Sequence, residues 1–236
     1  MAHYWYNVYA MCGRYSLATD YDAINDRFML RGGVRVPMQF RPRYNIAPTQ
    51  EVLTVVNATG RWNEPRMMKW GLIPFWAKDA SIGNRMINAR AETISIKPAF
   101  RNAFRQRRCL VVADGFYEWR RDGRHTVPMR IILKTGEAFG FAGLWETWKS
   151  PEGTAIETCS IVTTTPNAVM EPIHNRMPVI LPRKAESVWL DIAISDTAAL
   201  QELLVPYPAE EMEAYEVSTM VNSPTNDTPE ALARIG

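Results

Sequence analysis

The sequence predicts an α+β fold: a single domain with a mixed or largely antiparallel β core and several short helices. Many short apolar runs alternate as β-strands do, short amphipathic segments lie between them, and the regular strand-helix-strand succession of a parallel sheet is missing. Of the 236 residues, 47% are hydrophobic and 22% are charged. This composition is typical of a globular protein that buries a sizeable core.

The first half of the chain predicts two helices and four strands. Residues 21–30 form an amphipathic segment that follows Thr19-Asp20 and precedes the stop signal Arg31-Gly-Gly33. Residues 97–106 predict a second helix with Pro98 at its start, where a missing backbone N–H is tolerated. The predicted strands are rich in β-branched, aromatic or other apolar residues and cover residues 52–56, 66–70, 109–113 and 116–120.

The second half continues the β pattern through a predicted hairpin. Asp122-Gly123 separates the strand at residues 116–120 from a strand at residues 129–133, and this dipeptide favours a tight turn. The elements predicted after it are strands at 139–145 and 158–164, helices at 184–192 and 196–204, and extended chain at 206–229 with one short strand at 214–217.

The sequence shows no membrane span and no signal peptide. No apolar run approaches the ~18 residues that a membrane span needs, and residues 1–10 have neither the basic start nor the apolar stretch of a secretory signal. We therefore expect a cytoplasmic protein without a membrane partner. We also expect it to be a monomer.

The three cysteines are too widely spaced to predict a disulfide framework or a zinc site. Cys109 and Cys159 lie in apolar, strand-like runs and are expected to be small buried hydrophobic residues. Cys12 has polar neighbours. We expect neither a metal nor another cofactor.

Charge is divided unevenly along the chain. The net charge is +2, but residues 1–130 carry 21 Lys and Arg against 10 Asp and Glu, whereas residues 131–236 carry 6 against 15. A basic first half suits a polyanionic partner. Basic residues scattered over the folded surface would give the same count.

Several polar residues lie in segments that are otherwise apolar. Alternation puts Glu118 on the same strand face as Phe116, where burial would raise its pKa and let it exchange a proton near neutrality; a solvent-facing Glu118 is the alternative. His174 lies between two prolines and is the best placed of the three histidines to shuttle protons, although a single histidine is more often structural. Asn88 and Arg90 alternate in the same way. Asn88 offers a hydrogen-bonding amide, and Arg90 offers a guanidinium suited to phosphate. An internal salt bridge is the alternative for Arg90.

An aromatic and basic segment, Lys69-Trp-Gly-Leu-Ile-Pro-Phe-Trp-Ala-Lys78, has the rings and cations that grooves for single-stranded nucleic acid need. Trp70 is expected to be buried in the core, and Trp76 is expected to be exposed at the surface. Arg101, Arg105, Arg107 and Arg108 add further basic character.

Seven short motifs follow one another along the chain: Met11-Cys-Gly-Arg-Tyr15, Arg43-Tyr-Asn-Ile-Ala-Pro48, Trp70-Gly-Leu-Ile-Pro74, Asn88-Ala-Arg-Ala-Glu92, Asp114-Gly-Phe-Tyr-Glu-Trp119, Ile173-His-Asn-Arg-Met-Pro178 and Val217-Ser-Thr-Met-Val-Asn222. In order and spacing they resemble the SRAP family, the SOS response-associated peptidases or abasic-site processing proteins. The resemblance covers residues 11–236.

The resemblance implies a function on single-stranded DNA that contains abasic sites. Once Met11 is removed, the amine and thiol of Cys12 would form a thiazolidine with the lesion's aldehyde, with self-processing and weak lyase activity besides. The implied catalytic residues are Cys12, Asn88, Glu118 and His174, and the implied DNA-binding residues are Arg14, Asn45, Pro48, Trp76, Arg90 and Arg176.

Residues 1–10 depart from the family pattern, so the predicted organisation is an extension at 1–10 followed by an SRAP-like domain at 11–236. We expect the extension to result from a misplaced start codon or an added sequence, or to be a self-cleaved pro-segment. Two other functions use some of the same residues. One is an N-terminal nucleophile amidohydrolase or cysteine peptidase with Cys12 and His174, and the other is a non-catalytic single-stranded DNA-binding protein.

Overall fold

The computed structural model of the chain describes residues 12–30, 40–58 and 60–235. The extension predicted at residues 1–10 and the helix stop predicted at residues 31–33 lie outside these ranges. In chain order the strands are β1 (Tyr15–Leu17), β2 (Arg43–Ile46), β3 (Glu51–Val56), β4 (Glu64–Trp70), β5 (Asn88–Arg90), β6 (Arg108–Ala113), β7 (Gly115–Asp122), β8 (His125–Leu133), β9 (Phe139–Lys149), β10 (Ala155–Thr164), β11 (Met177–Pro178), β12 (Ile180–Leu181) and β13 (Met212–Glu216). The α-helices are α1 (Tyr21–Phe28), α2 (Arg101–Gln106), α3 (Arg183–Leu190) and α4 (Thr197–Glu202), and short 3-10 helices lie between some of these elements.

The strands form two sheets. Five of them make an antiparallel sheet in the order β13-β8-β7-β1-β2. In the second sheet, β10, β4, β3, β6 and β9 pair in sequence, and β9 pairs again with β10, which closes a ring. Strand β10 is parallel to β4 and to β5, whereas the other pairings are antiparallel. The predicted α+β fold with a mixed β core is confirmed.

Aromatic side chains join the two sheets. The ring of Tyr15 on β1 lies 5.3 Å from that of Trp70 on β4 and 5.9 Å from that of Phe141 on β9, measured between centroids. Phe116 on β7 also packs edge-on against Phe141 at 5.9 Å. All four side chains are buried, so the face of β7 that carries Phe116 points into the shared core.

Local sequence signals explain where several elements begin and end. The Asp20 carboxylate accepts a hydrogen bond from Ala23 N (2.9 Å) and caps α1, which ends where Met29 adopts a left-handed φ of 48°. The predicted hairpin is present, with Asp122 opposite His125 and Gly123 at a φ of 59°, a conformation that glycine adopts without steric cost. Helix α2 begins at Arg101, four residues later than predicted, because residues 98–100 form a turn before it.

The structure adds short strands that the sequence did not predict. Strands β1, β2, β5, β11 and β12 have two to four residues each, too few for alternation to identify them. Among the described residues, no helix is long and apolar enough to cross a membrane.

Candidate active site

Cys12 and Glu118 form the centre of the candidate active site. Cys12 precedes β1, and β1 pairs with β7, which carries Glu118. This pairing brings the backbone nitrogen of Cys12 to 2.7 Å from Glu118 Oε1, to which it donates a hydrogen bond. Both residues are only 4% exposed. A carboxyl group and the nitrogen of a cysteine thus meet in a pocket that largely excludes water.

The strand alternation predicted for this segment agrees with the structure. Phe116 lies in the main core, whereas Tyr117 on the opposite face packs with Val217, Val221 and Ala231. Burial raises the pKa of Glu118, in the direction expected from the sequence, and the nearby charge of His174 opposes that rise. Glu118 therefore keeps its proton to a higher pH than an exposed carboxyl group does.

The thiol of Cys12 is also perturbed. Burial and the neighbouring Glu118 carboxylate raise its pKa, and the positive charge of Arg176 partly opposes them. Its backbone φ is 43°, in the left-handed region that residues other than glycine rarely adopt. The thiol is therefore held as an SH group beside the Glu118 carboxyl group.

His174 and Arg176 approach this pair from the segment before β11. His174 is half-buried, and its Nδ1 accepts a hydrogen bond from the backbone N of Arg176 (3.2 Å). Its own backbone N donates to Met170 O (2.8 Å). The charges of His174 and Arg176 lower the pKa values of Glu118 and Cys12, respectively, so both residues lie within electrostatic range of the pair. We call these four residues the cluster around Cys12.

Arg176 is fixed by a partner that sequence reasoning missed. Its guanidinium forms a two-pronged ion pair with Glu92, in which Nη2 lies 3.0 Å from Oε2, and Nη2 also donates to Thr163 O (2.6 Å). Glu92 belongs to the Asn88–Glu92 motif, but 84 residues separate it from Arg176. No pattern along the sequence links two residues so far apart.

Strand β5 places Asn88 and Arg90 beside this ion pair. It runs parallel to β10, with Asn88 opposite Ile161 and Arg90 opposite Thr163. Since side chains two residues apart share a strand face, Asn88 and Arg90 point the same way. Asn88 is half-buried and Arg90 is exposed.

Arg14 and Asn45 lie together but are mostly enclosed by protein. Arg14 Nη1 donates to Asn45 Oδ1 (2.9 Å) and to Val221 O (2.6 Å), and its guanidinium lies 5.8 Å from the Trp119 ring. Asn45 is fully buried and donates to Ser223 O at 2.9 Å. The two side chains attach the C-terminal segment to the first sheet.

Pro48 and Trp76 lie on two loops that meet at the end of β4. Thr49 N, next to Pro48, donates to Trp70 O (2.8 Å), and the loop that carries Trp76 begins directly after Trp70. Trp70 is completely buried and its Nε1 donates to Ile87 O (2.9 Å), whereas Trp76 is 49% exposed. The expected division between a core tryptophan and a surface tryptophan is confirmed.

Comparison with known proteins shows the family to which this chain belongs. The profile of the family described as SOS response associated peptidase (SRAP) matches residues 11–224. Abasic site processing protein YoqW of Bacillus subtilis (strain 168) is 49% identical over 223 residues, which are 94% of this chain and 99% of that protein. Abasic site processing protein HMCES of Rattus norvegicus is 30% identical over 94% of this chain and 76% of that protein. A crystal structure of a Bacteroides thetaiotaomicron protein has a TM-score of 0.87 at 29% identity and covers 95% of this chain and 100% of that one. This chain therefore belongs to the SRAP family.

Proposed function

We propose that this protein processes abasic sites in single-stranded DNA and crosslinks to them through Cys12 once that residue is N-terminal. The observation that carries the proposal is the 2.7 Å contact between the Cys12 nitrogen and the buried Glu118 carboxylate. The relatives named abasic site processing proteins support the same substrate.

The chemistry uses both nucleophiles of an N-terminal cysteine. An abasic sugar in its open form has an aldehyde at C1′, and the free α-amine, with a reference pKa near 8, adds to that carbon. Loss of water gives an imine. The thiol sulfur then adds to the imine carbon, and its proton passes to the nitrogen, which closes a five-membered thiazolidine. An imine that instead eliminates the neighbouring phosphate gives weak strand cleavage of the lyase type.

We assign the proton transfers of this reaction to Glu118 and His174. Glu118 accepts a proton from the Cys12 ammonium or thiol and returns it to the oxygen that leaves as water, a role suited to a buried carboxyl with a raised pKa. His174, beside Glu118, assists the same transfers. Asn88 orients the opened sugar from β5.

Removal of residue 11 is part of the proposed function. While that residue is attached, the Cys12 nitrogen is an amide whose lone pair is delocalised into the carbonyl, so it cannot form an imine. The left-handed φ of 43° at Cys12 costs roughly 1–2 kcal/mol, and cleavage of the bond between residues 11 and 12 abolishes that torsion. In the autopeptidase activity we propose, water adds to the carbonyl carbon of residue 11 while Glu118 accepts its proton. Glu118 then returns the proton to the Cys12 nitrogen as the bond breaks, which leaves a carboxylate on residue 11 and a free amine on Cys12.

The DNA strand is bound by the remaining predicted residues. Arg90 and Arg176 contact phosphates beside the opened sugar, and Trp76 stacks on a base. Pro48 borders the strand from the neighbouring loop. We propose that Arg14 offers part of its guanidinium to a phosphate, and that Asn45, fully buried, acts by holding Arg14 in place. The protein acts in this way as a cytoplasmic monomer.

A denaturing gel tests the proposal. Protein that begins at Cys12 is incubated with single-stranded DNA carrying one abasic site, and a slower, heat-stable protein–DNA band is expected. Cys12→Ala in the same protein should abolish the band and leave binding to undamaged strands largely intact. Binding without a band in the unaltered protein would favour a non-catalytic DNA-binding protein, and hydrolysis of peptide or amide substrates without a band would favour the amidohydrolase.

A further inference from the structure

A second feature of the molecule lies away from Cys12. A cavity of about 450 Å³ is lined by Phe75, Asn102, Arg105, Gln106, Arg107 and Glu146. None of these residues belongs to the cluster around Cys12. Phe75 comes from the loop after β4, Glu146 from β9, and the rest from α2 and the residue that follows it.

The lining has three chemical features that a nucleotide needs. Phe75 is 57% exposed, so its ring is available as a flat stacking surface. The side-chain amides of Asn102 and Gln106 can donate and accept hydrogen bonds, as the edge of a base requires. Arg105 is exposed and offers a guanidinium for a phosphate.

The charge of the cavity favours an anionic occupant. Arg107 Nη2 forms an ion pair with Glu146 Oε2 at 2.8 Å, and Glu146 is only 6% exposed. This pair neutralises one arginine and leaves the charge of Arg105 unbalanced within the lining. The Nε of Arg107 is buried and has no hydrogen-bond partner among the described residues, so Arg107 retains a donor that Glu146 does not use.

Strand β10 runs past both sites, although the side chains of Thr158 and Thr163, five residues apart, point to opposite faces of the sheet. Glu146 lies opposite Thr158 on β10, and Thr158 Oγ1 accepts from Ile73 N (2.9 Å), which attaches the loop that carries Phe75 and Trp76. Five residues further along β10, Thr163 binds Arg176. At about 3.3 Å per residue the two positions are roughly 17 Å apart, the length of about five stacked nucleotides at 3.4 Å each.

We propose that this cavity binds an unpaired nucleotide of the same DNA strand, roughly three to five nucleotides from the sugar that Cys12 attacks. The base stacks on Phe75 and meets Asn102 and Gln106, and its phosphate pairs with Arg105. Trp76, the residue after Phe75 on the same loop, bridges the cavity and the active site. The inference rests on the proposed single-stranded DNA substrate.

Two substitutions and one matched control test the cavity. Arg105→Glu reverses its unbalanced charge, and Phe75→Leu keeps apolar bulk but removes the flat ring. Arg101→Glu makes the same charge reversal at an exposed position of α2 that does not line the cavity. The probes are single strands with a central abasic analogue that lacks the aldehyde: a 5-mer, and two longer strands extended by about eight nucleotides on the 5′ or the 3′ side.

Fluorescence anisotropy should show that one of the longer strands binds the unaltered protein more tightly than the 5-mer does. For that strand, Arg105→Glu and Phe75→Leu should each weaken binding by roughly tenfold, a loss within the range measured for stacked bases. Neither should alter binding of the 5-mer, and Arg101→Glu should have a clearly smaller effect. The proposal would be overturned if Arg105→Glu and Arg101→Glu lost the same affinity for that strand. It would also be overturned if Phe75→Leu bound both longer strands as tightly as the unaltered protein does.

The reaction itself serves as a separate control. Both cavity variants should crosslink a 5-mer that contains a true abasic site at the rate of the unaltered protein. If the unaltered protein fails to crosslink, the proposed chemistry at Cys12 is wrong while the affinity comparison stands. If it crosslinks and the affinities do not depend on the cavity residues, only the second site is wrong.

Discussion

At the residue scale, Glu118 couples the stability of the fold to the chemistry of Cys12. Its carboxyl is buried, and it receives a hydrogen bond from the Cys12 nitrogen while His174 lies nearby. A carboxyl group in water loses its proton at a lower pH than Glu118 does in this buried position. The desolvation that suits Glu118 to the proton transfers of the proposed reaction therefore costs stability whenever the group is ionised.

The pH dependence of stability tests this coupling. Because the pKa of Glu118 is higher in the folded protein than its usual value of 4.5, the native state binds more protons than the unfolded state above pH 4.5. Stability from this group accordingly falls as the pH rises through the folded pKa. In the chain that retains residue 11, Glu118→Gln should therefore raise the melting temperature more at pH 8 than at pH 4.5.

Glutamine suits this measurement because its side-chain oxygen can still accept the hydrogen bond from the Cys12 nitrogen. His174 and Arg176 remain in both proteins, so the difference between the two melting curves reports the carboxyl group together with its interaction with His174. An equal shift of melting temperature at pH 4.5 and pH 8 would show that burial does not raise the pKa of Glu118.

At the scale of elements, strand β2 depends on a distant carboxylate. Asp227 accepts hydrogen bonds from the backbone nitrogens of Tyr44 and Asn45, the latter at 2.9 Å, and forms an ion pair with Arg43. These contacts attach the C-terminal segment to an edge strand of the first sheet. They also support Asn45, which positions Arg14.

Removal of this carboxylate should weaken the whole domain. Asp227→Ala leaves two backbone donors of β2 without acceptors, and an unsatisfied buried donor costs about 1–3 kcal/mol. Urea unfolding should show a loss of free energy of unfolding in that range. Glu202→Ala, at an exposed position of α4, is the control and should change stability by no more than about 0.5 kcal/mol. A loss no larger than the control's would mean that the attachment contributes nothing.

The loop after β4 presents the exposed ring of Trp76, which stacks on a base in the proposed function. Trp76→Ala should weaken binding to undamaged single strands by about 1–3 kcal/mol, the range for a base-stacking aromatic, and added salt should weaken it further by counterion release. Trp62→Ala is a matched control, since Trp62 is 39% exposed on a different loop. If anisotropy gives the same affinity for both variants, the strand passes elsewhere.

At the scale of the whole molecule, the position of Cys12 in the chain decides whether the site can react. A chain that retains residues 1–11 presents an amide, and its thiol alone would give at best a reversible hemithioacetal. Such a chain should bind abasic DNA but form no heat-stable crosslink. A chain that begins at Cys12 should crosslink efficiently.

Intact-mass analysis of both proteins, paired with the abasic-DNA gel, is the required measurement. Heat-stable crosslinking by a chain whose mass proves that residues 1–11 remain attached would rule out the thiazolidine mechanism. Crosslinking that appears together with the loss of those residues would instead support self-cleavage.

The sequence by itself determined the fold class, the hairpin at Asp122-Gly123 and the family. It also identified Cys12, Glu118 and His174 as candidate catalytic residues. These features are encoded locally, since a strand of six or more residues shows its alternation and a motif keeps its spacing whatever surrounds it. The burial of Cys109, Cys159 and Trp70 follows for the same reason.

Only the tertiary structure decided which of those residues meet and in which direction the pKa values of Cys12 and Glu118 shift. Strands β1 and β5 are three residues long and exist because longer strands pair with them. The Cys12–Glu118 contact spans 106 residues and the Arg176–Glu92 pair spans 84. Desolvation and hydrogen bonding depend on neighbours in space, so the raised pKa of Glu118 and the enclosure of Asn45 arise only when distant segments of the chain come together.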